Sequence, residues 1–355
     1  MKIIDQCNWK KPVLATSKEE QRALFLEAYA KDTGNKKILY LHMPYCNGKC
    51  RFCICPSISY RTETDIDVFA RDVLPAQIAE YRSLLEHTRF DEVYFGGGTP
   101  TLLSTEQLEA IFACIPHFDE IPVKSFEGSP STVTFEHLAL LKKYGFSYLS
   151  FGVQSLDEDL CRWQNRTYVS KEQLAYIASA VLDSGLFLNM DLICYLGAGD
   201  LTDLPDFERD LDTMMREIRP SSICIHQHLQ ARFTCEKTKH LIRMIREKLE
   251  MYPEYECINS HLKDEDVYED TIHRAEYRLV RENRQYRNYM WKKFPSVPID
   301  GYDVLALGYI PRVNIKSNAG PLLYEPSIDK LSQFRFAHEL TEKEALIRKE
   351  KGLPI

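Results

Sequence analysis

No stretch of the sequence stays apolar for the roughly 18 residues that a membrane-spanning helix needs. Its longer apolar runs, such as "FLNMDLICYLGA", are broken by Asn189 and Asp191. A membrane is therefore not an expected partner. The N-terminal "MKIIDQCNWKKPVLATSKEE" lacks an apolar core followed by small cleavage-site residues, so a cytoplasmic location is expected rather than export. Clustered cations are scarce as well: the formal net charge is -7, and the basic groupings "RTYVSK" and "LIRMIREK" read as ordinary helix faces. Neutralising a phosphate backbone takes clustered Lys and Arg, which argues against nucleic acid as a partner. The G-x-G-x-x-G spacing of a dinucleotide site is missing too; "FGGGTP" is a glycine turn of another kind.

What is present is a globular composition, with 44% hydrophobic and 27% charged residues in 355. That length suits one large core with an appendage. Short apolar runs alternate with amphipathic ones. "KKILYLHM", "FDEVYFGGG", "VKSFEGSP", "YLSFGVQS", "LFLNMDLICY" and "SSICIHQHL" read as strands, each followed by a helical pattern. Ser104 and Gln107 form a capping box at the start of "STEQLEAIFACI". Six strand-helix units imply a parallel sheet, curled as a partial barrel or open and doubly wound. The fold class adopted is α/β, a partial (β/α)6 TIM-like barrel over 37–251 with a small C-terminal α/β extension over 252–355. In that extension a helix and then two strands around a Pro-rich turn are expected. Residues 1–36 form an N-terminal extension with no assigned role.

In such units the carboxyl ends of parallel strands gather on one face, where function usually sits. Cys46, Gly97, Gly98, Thr99, Glu127, Gln154, Asp191, His226 and His228 fall at or near those ends. An ionised carboxylate among apolar neighbours costs several kcal/mol unless it finds partners. Glu127 either meets a ligand or sits in solvent past its strand. Asp191, between Met190 and Leu192, either serves a site or braces the barrel through a salt bridge such as one to Arg166.

Four of the eleven cysteines stand in "CNGKCRFCIC", with gaps of three, two and one. The other seven, widely spaced in apolar surroundings, read as reduced, buried thiols. A structural zinc site wants two separated C-x2-C pairs, so zinc is the lesser reading. Thiolates at gaps of three and two suit a 4Fe-4S cluster held by Cys46, Cys50 and Cys53, leaving one iron open. An open iron can chelate S-adenosylmethionine, whose reductive cleavage needs a site that excludes water.

With "LYLHMPYCNGKCRFCIC", "VYFGGGTPTLLS", "FEGSPSTVT", "LSFGVQSLDEDL", "NRTY", "NMDLICYL", "HQHL", "YRNY" and "DVLALG" in order, the sequence resembles the radical S-adenosylmethionine superfamily. Within it, the sequence is similar to the oxygen-independent coproporphyrinogen III oxidase family. The resemblance implies that Cys46, Cys50 and Cys53 hold the cluster, with Cys55 matching a fourth, non-ligand cysteine. It implies that Tyr40, Phe52, Gly97, Gly98, Thr99, Glu127, Gln154 and Arg166 bind S-adenosylmethionine, the Arg166 fork suiting a carboxylate or ribose. Asp191, Ile193 and Gln227 fall on positions implied for a second S-adenosylmethionine. An electron donor such as flavodoxin or ferredoxin is implied as partner.

The sequence also departs from the family. His226 stands where the family has a tyrosine, Met290 where it has a glutamine, and Leu196–Gly199 replace Gly-Leu-Pro-Gly. The chain stops at Ile355, near the entrance to the family's C-terminal domain, and reads as a shortened member. The expected function is radical alkylation or rearrangement of a small specialised metabolite, a second S-adenosylmethionine giving a methyl or methylene group. His226 and His228 are the candidate catalytic residues, His226 as a proton carrier or a hydrogen-bonding core residue. The alternatives are a tetrapyrrole oxidoreductase, decarboxylating coproporphyrinogen or opening heme, and a heme chaperone.

Overall fold

A computed structural model describes residues 36–53, 57–59, 62–194, 196, 204–227, 235–258, 277–281, 302–308, 313–317 and 320–324. In chain order the longer strands are β1 (Lys36–Met43), β2 (Glu92–Gly97), β3 (Val123–Gly128), β4 (Tyr148–Gln154), β5 (Phe187–Cys194), β6 (Ser222–Gln227), β7 (Tyr277–Val280), β8 (Tyr302–Gly308), β9 (Val313–Ser317) and β10 (Gly320–Tyr324). The helices are α1 (Glu63–Val68), α2 (Leu74–Glu80), α3 (Arg82–His87), α4 (Thr105–Cys114), α5 (Phe135–Lys143), α6 (Glu158–Trp163), α7 (Lys171–Asp183), α8 (Leu204–Thr213) and α9 (Cys235–Met251). All six strand-helix units legible in the periodicity are present, and the fold is α/β. Among the described residues no helix is long and apolar enough to cross a membrane.

The chain divides into two compact units, one of residues 1–47, 55–127 and 287–355, the other of 48–54 and 128–286. In the first, β1 lies parallel between β2 and β8, and β3 is parallel to β2. β9 and β10 extend that sheet antiparallel beyond β8. Strand alternation sorts the side chains: Phe95 points into a ring cluster with Phe112, Phe118 and Phe126, Phe112 and Phe118 stacking at 4.8 Å. Tyr94, one residue earlier, faces the other way. The helical pattern that follows "KKILYLHM", from Thr64 to Leu85, is broken into α1, α2 and α3. Pro75 has no N–H to give the preceding turn, and a π-type turn at Phe69–Val73 absorbs the mismatch.

In the second unit β4, β5 and β6 are parallel, and β7 runs antiparallel beside β6. One face of these strands is wholly apolar, with Leu149, Phe151, Leu188, Met190, Leu192, Ile223 and Ile225 all buried. The other carries Ser150, Gly152, Asn189, Asp191, Ser222, Cys224 and His226. β7 corrects one expectation, because Tyr277–Val280 falls in the stretch read as a helix. The pairing of "YRLV" with β6, with all four residues buried, overrides its local propensity.

Helix starts follow the sequence closely. Ser104 and Gln107 make the expected capping box, the Gln107 N–H donating to Ser104 Oγ at 3.2 Å and the Ser104 N–H to Gln107 Oε1 at 2.8 Å. The turn after β4 is held differently, by buried Asp210 of α8. Its Oδ2 accepts the Ser155 hydroxyl at 2.6 Å and the Leu156 N–H at 2.9 Å. Burial pushes the Asp210 carboxyl above the ordinary carboxylate value, more than those two donors pull it down. The folded state thus holds a proton here more tightly than the unfolded chain. Stability from this group is greatest in acid and declines as pH rises from about 4 through the folded pKa. Asp210→Asn, which keeps an acceptor for both donors, should flatten that decline in urea midpoints measured from pH 4 to 7. Asp210→Ala strands two donors and should cost about 2 kcal/mol or more at every pH in the series.

Candidate functional site

In the first unit the polar residues gather where β1 and β2 end. Tyr40 and His42, two apart on one face of β1, share a hydrogen bond between the hydroxyl and Nδ1 at 2.9 Å. The Tyr40 ring lies 5.5 Å from that of Tyr94, its register neighbour on β2. Tyr94 in turn donates its hydroxyl to Glu127, which also accepts the Gly97 N–H at 3.2 Å. Glu127 is half-buried with two fixed donors, so the solvent-exposed reading of it is corrected. The row Tyr40, Tyr94, Glu127 orients one carboxylate at the strand ends.

The glycine turn after β2 meets the chain itself. Gly97 has φ +106, open to glycine at little cost. The Gly98 N–H donates to the Met43 carbonyl at 2.6 Å and the Thr99 N–H to the Tyr45 carbonyl at 2.7 Å. Thr99 also donates its hydroxyl to Cys46 Sγ at 3.4 Å. The turn thereby fixes the segment that delivers Cys46.

In the second unit the loop with Cys50 and Cys53 is seated on the end of α6. The Cys53 N–H closes a turn on the Cys50 carbonyl at 3.1 Å, and the Arg51 N–H donates to the Gln164 carbonyl at 3.0 Å. Asn165 donates its amide to the Lys49 carbonyl at 3.0 Å, and Arg166 Nη1 stands 3.8 Å from Cys50 Sγ. The Arg51 guanidinium covers exposed Trp163 at 5.7 Å. Arg166, offered above as a brace for Asp191, is thus placed beside a thiol instead. Phe52 is half-buried on the same loop. Gln154 sits at a bulge in the β4–β5 pairing with φ +75, and its Oε1 is buried with no partner among the described residues. A strained residue with an unmet buried acceptor marks a place where a donor from a bound molecule fits.

On β5 and β6 the polar face is wired across the register. Asn189 donates to Ser150 Oγ at 2.9 Å and to Asp191 Oδ1 at 2.7 Å, and accepts the Ser222 hydroxyl at 2.7 Å. Asp191 Oδ1 lies 3.8 Å from His226 Nε2. Burial disfavours a charged His226, but Cys224 and Asp191 beside it outweigh that and hold its pKa well above the ordinary histidine value. Half-buried Ile193 is the register partner of His226. Cys55 and His228 lie outside the described residues, as does the side chain of Gln227.

Of the cysteines expected to be reduced and buried, Cys161, Cys194 and Cys224 are buried thiols, whereas Cys114 and Cys257 are only half-buried; Cys7 and the side chain of Cys235 lie outside the described residues. Burial lifts the Cys161 pKa to about 11, which makes it inert. Cys46, Cys50 and Cys53 are half-buried thiols. Tyr94, Asn165, Asn189 and Cys224 were not singled out from sequence. The strand period of two would have found Asn189 beside Asp191 and Cys224 beside His226.

Residues 40–181 match the Radical SAM superfamily. That match, together with the relatives below, indicates an enzyme. The oxygen-independent coproporphyrinogen III oxidase of Salmonella typhimurium is 30% identical over 184 residues, 51% of this chain and 40% of that protein. A mitochondrial radical S-adenosyl methionine domain-containing protein 1 of Bos taurus is 30% identical over 146 residues, 40% of this chain and 32% of its own. The chain thus spans less than half the length of these relatives. The solved structure of coproporphyrinogen III oxidase from Escherichia coli, a radical SAM enzyme, superposes with a TM-score of 0.64 at 20% identity, over 83% of this chain and 70% of that one. The α/β fold read from the strand-helix alternation is the fold of that structure. Domains of this superfamily work with a 4Fe-4S cluster and S-adenosylmethionine, and the radical SAM match includes all three cysteines of the C-x3-C-x2-C run.

Proposed function

We propose that the protein is a radical SAM enzyme that alkylates or rearranges a small molecule, with a second S-adenosylmethionine as methyl or methylene donor. The observation that carries the reading is the run of half-buried thiols at Cys46, Cys50 and Cys53 inside the matched residues. The donor set fits the cluster: three soft thiolates at gaps of three and two. Gln154 in one unit has an unmet buried acceptor and Glu127 in the other an oriented carboxylate, each of a type that accepts from the ammonium or hydroxyl groups of S-adenosylmethionine. When bound, cluster and S-adenosylmethionine together supply an electron to a sulfonium and hence a 5'-deoxyadenosyl radical that abstracts hydrogen.

The chain's own residues do the positioning. Arg166 steadies the Cys50 thiolate and offers its remaining N–H groups to a carboxylate or ribose. Glu127, aimed by Tyr94 and Gly97, accepts from an ammonium or hydroxyl. Tyr40, Phe52, Gly97, Gly98 and Thr99 complete the first S-adenosylmethionine site, and Asp191, Ile193 and Gln227 serve the second. His226, 3.8 Å from Asp191, is the candidate proton carrier, and its standing where the family resemblance implies a tyrosine favours a substrate other than a porphyrinogen. An external electron donor, flavodoxin or ferredoxin in kind, supplies the reducing equivalent. A tetrapyrrole oxidoreductase is the second reading, favoured by the activity named for several curated relatives.

Anaerobic incubation with reductant, candidate substrates and methyl-labelled S-adenosylmethionine should yield 5'-deoxyadenosine, with label in product or S-adenosylhomocysteine formed. Decarboxylation of coproporphyrinogen without label transfer would establish the second reading instead. Heme binding with no turnover would leave a chaperone. Protein that takes up zinc but neither iron nor sulfide would end all radical readings.

A further inference from the structure

Asp191, Cys224 and His226 bring a carboxylate oxygen, a thiol sulfur and an imidazole nitrogen to within 4.8 Å of one another. The parallel register makes this cluster: Asp191 of β5 pairs with Cys224 of β6, and His226 follows two residues on along the same face. We propose that these three residues form a mononuclear divalent metal site of zinc type, separate from the cysteine loop, with its fourth position open to an oxygen donor. The inference goes beyond the radical reading and does not rest on it; with a metal bound, Asp191 would meet the second S-adenosylmethionine through the metal, and His226 Nε2 would hold the metal in place of a proton.

Two arrangements use these residue types, and the geometry separates them. In a nucleophile, base and orienter row the imidazole stands between thiol and carboxylate and parts them. Here all three donor atoms lie within 4.8 Å of one another, too close for an imidazole to stand between thiol and carboxylate. A tetrahedral zinc centre places its donors about 3.3–3.7 Å apart, from metal–ligand lengths near 2.0–2.3 Å, so closing donors as far as 4.8 Å apart needs pairwise shifts of up to about 1–1.5 Å. The His226 to Asp191 distance is 3.8 Å already. One thiolate, one imidazole and one carboxylate suit zinc better than the harder magnesium or calcium. Three protein ligands are also the count of an open centre rather than a closed structural one.

The supporting contacts are those a metal ligand needs. Asn189 donates to Asp191 Oδ1 at 2.7 Å and is itself held by Ser222 at 2.7 Å, which fixes the carboxylate's direction. Cys224 is 1% exposed, whereas the side chains of Asp191 and His226 are 25% and 30% exposed. The thiolate would lie at the closed end and the open position toward the accessible side. A carboxylate or carbonyl oxygen of the molecule on this face would complete the shell. Arg278, the register partner of Cys224 on β7, is a cation that could serve the anionic groups in a metal-free ion-paired cluster.

Two measurements on the full chain decide between metal site and ion-paired cluster. After anaerobic reconstitution with iron and sulfide and supply of zinc, elemental analysis should find one zinc per chain beyond the iron. Cys224→Ser should lower zinc affinity at least ~100-fold while leaving iron and sulfide unchanged, more than the loss of a mere supporting contact. In a full chain with Cys46, Cys50, Cys53 and Cys55 all replaced by serine, Co2+ should bind once per chain and give a thiolate-to-cobalt charge-transfer band. That band should vanish in the added Cys224→Ser change, and His226→Gln should weaken binding, with circular dichroism confirming the fold. Zinc at trace level in the reconstituted wild type, or a cobalt spectrum unaffected by Cys224→Ser, would overturn the site. Either result leaves the iron content, and so the radical reading, intact.

Discussion

Alanine at Cys50 is expected to leave anaerobically reconstituted protein with background iron and sulfide, and with no 5'-deoxyadenosine formed from S-adenosylmethionine. The proposed ligand set has only three protein members, so losing one leaves two thiolates to hold a cube. Substituting a supporting contact typically costs 10–100-fold in metal affinity or activity, and a ligand should cost more than about 100-fold. The local backbone has reasons to survive the change. The turn of the Cys53 N–H on the Cys50 carbonyl and the Arg51 and Asn165 tethers use backbone atoms of the loop, not the Cys50 sulfur. Far-ultraviolet circular dichroism should therefore match the wild type. Arg166→Gln, which removes the guanidinium 3.8 Å from Cys50 Sγ, should fall in the lower range. Cys161→Ala supplies the contrast. That thiol is 1% exposed, raised by burial to about 11 and bonded to the Ser155 carbonyl, so its loss should touch stability and leave iron content alone. Equal iron loss in Cys50→Ala and Cys161→Ala would remove the special standing of the loop cysteines.

How far such residues could be read beforehand depended on how local their cause is. The six strand-helix units were legible because alternation and the 3.6 period are local, and Ser104 with Gln107 named its own helix start. The three loop cysteines stand out in the sequence as candidate ligands because gaps of three and two carry chemistry by themselves. β7 was missed because "YRLV" becomes a strand only by lying against β6, more than fifty residues earlier in the chain. Asp191 drew notice as a carboxylate among apolar neighbours, yet its partners came out as Asn189 and His226 rather than Arg166. Period two within β5 predicts the first of these; the second needs the register of β5 against β6, which no single strand specifies. Cys224 passed as one more buried thiol for the same reason.

Gly98→Ala is expected to damage the delivery of Cys46 without altering a ligand or a charge. An added Cβ would stand 2.4 Å from the Tyr45 carbonyl oxygen and 3.0 Å from that of Met43, both backbone atoms that cannot swing aside. The same carbonyls accept the Thr99 and Gly98 N–H groups at 2.7 and 2.6 Å, so pushing the strands apart also breaks the bonds that clasp residues 43–46. Overpacking of about 1–3 kcal/mol adds to two weakened hydrogen bonds at roughly 1 kcal/mol each, giving a loss of about 3 kcal/mol or more. Thr99 would carry its hydroxyl away from Cys46 Sγ, and reconstituted iron should drop well below the wild-type content. Gly185→Ala calibrates the effect. Gly185 has φ +85 but nothing within 4 Å of an added Cβ, so that change incurs only backbone strain of about 1–2 kcal/mol and should keep full iron. Steric contact at Gly98 and dihedral strain at Gly185 are thus separable in one pair of denaturation curves with iron assays. If the two variants lost equal stability and both kept their iron, the clasp of the glycine turn on the Cys46 segment would not be what presents that cysteine.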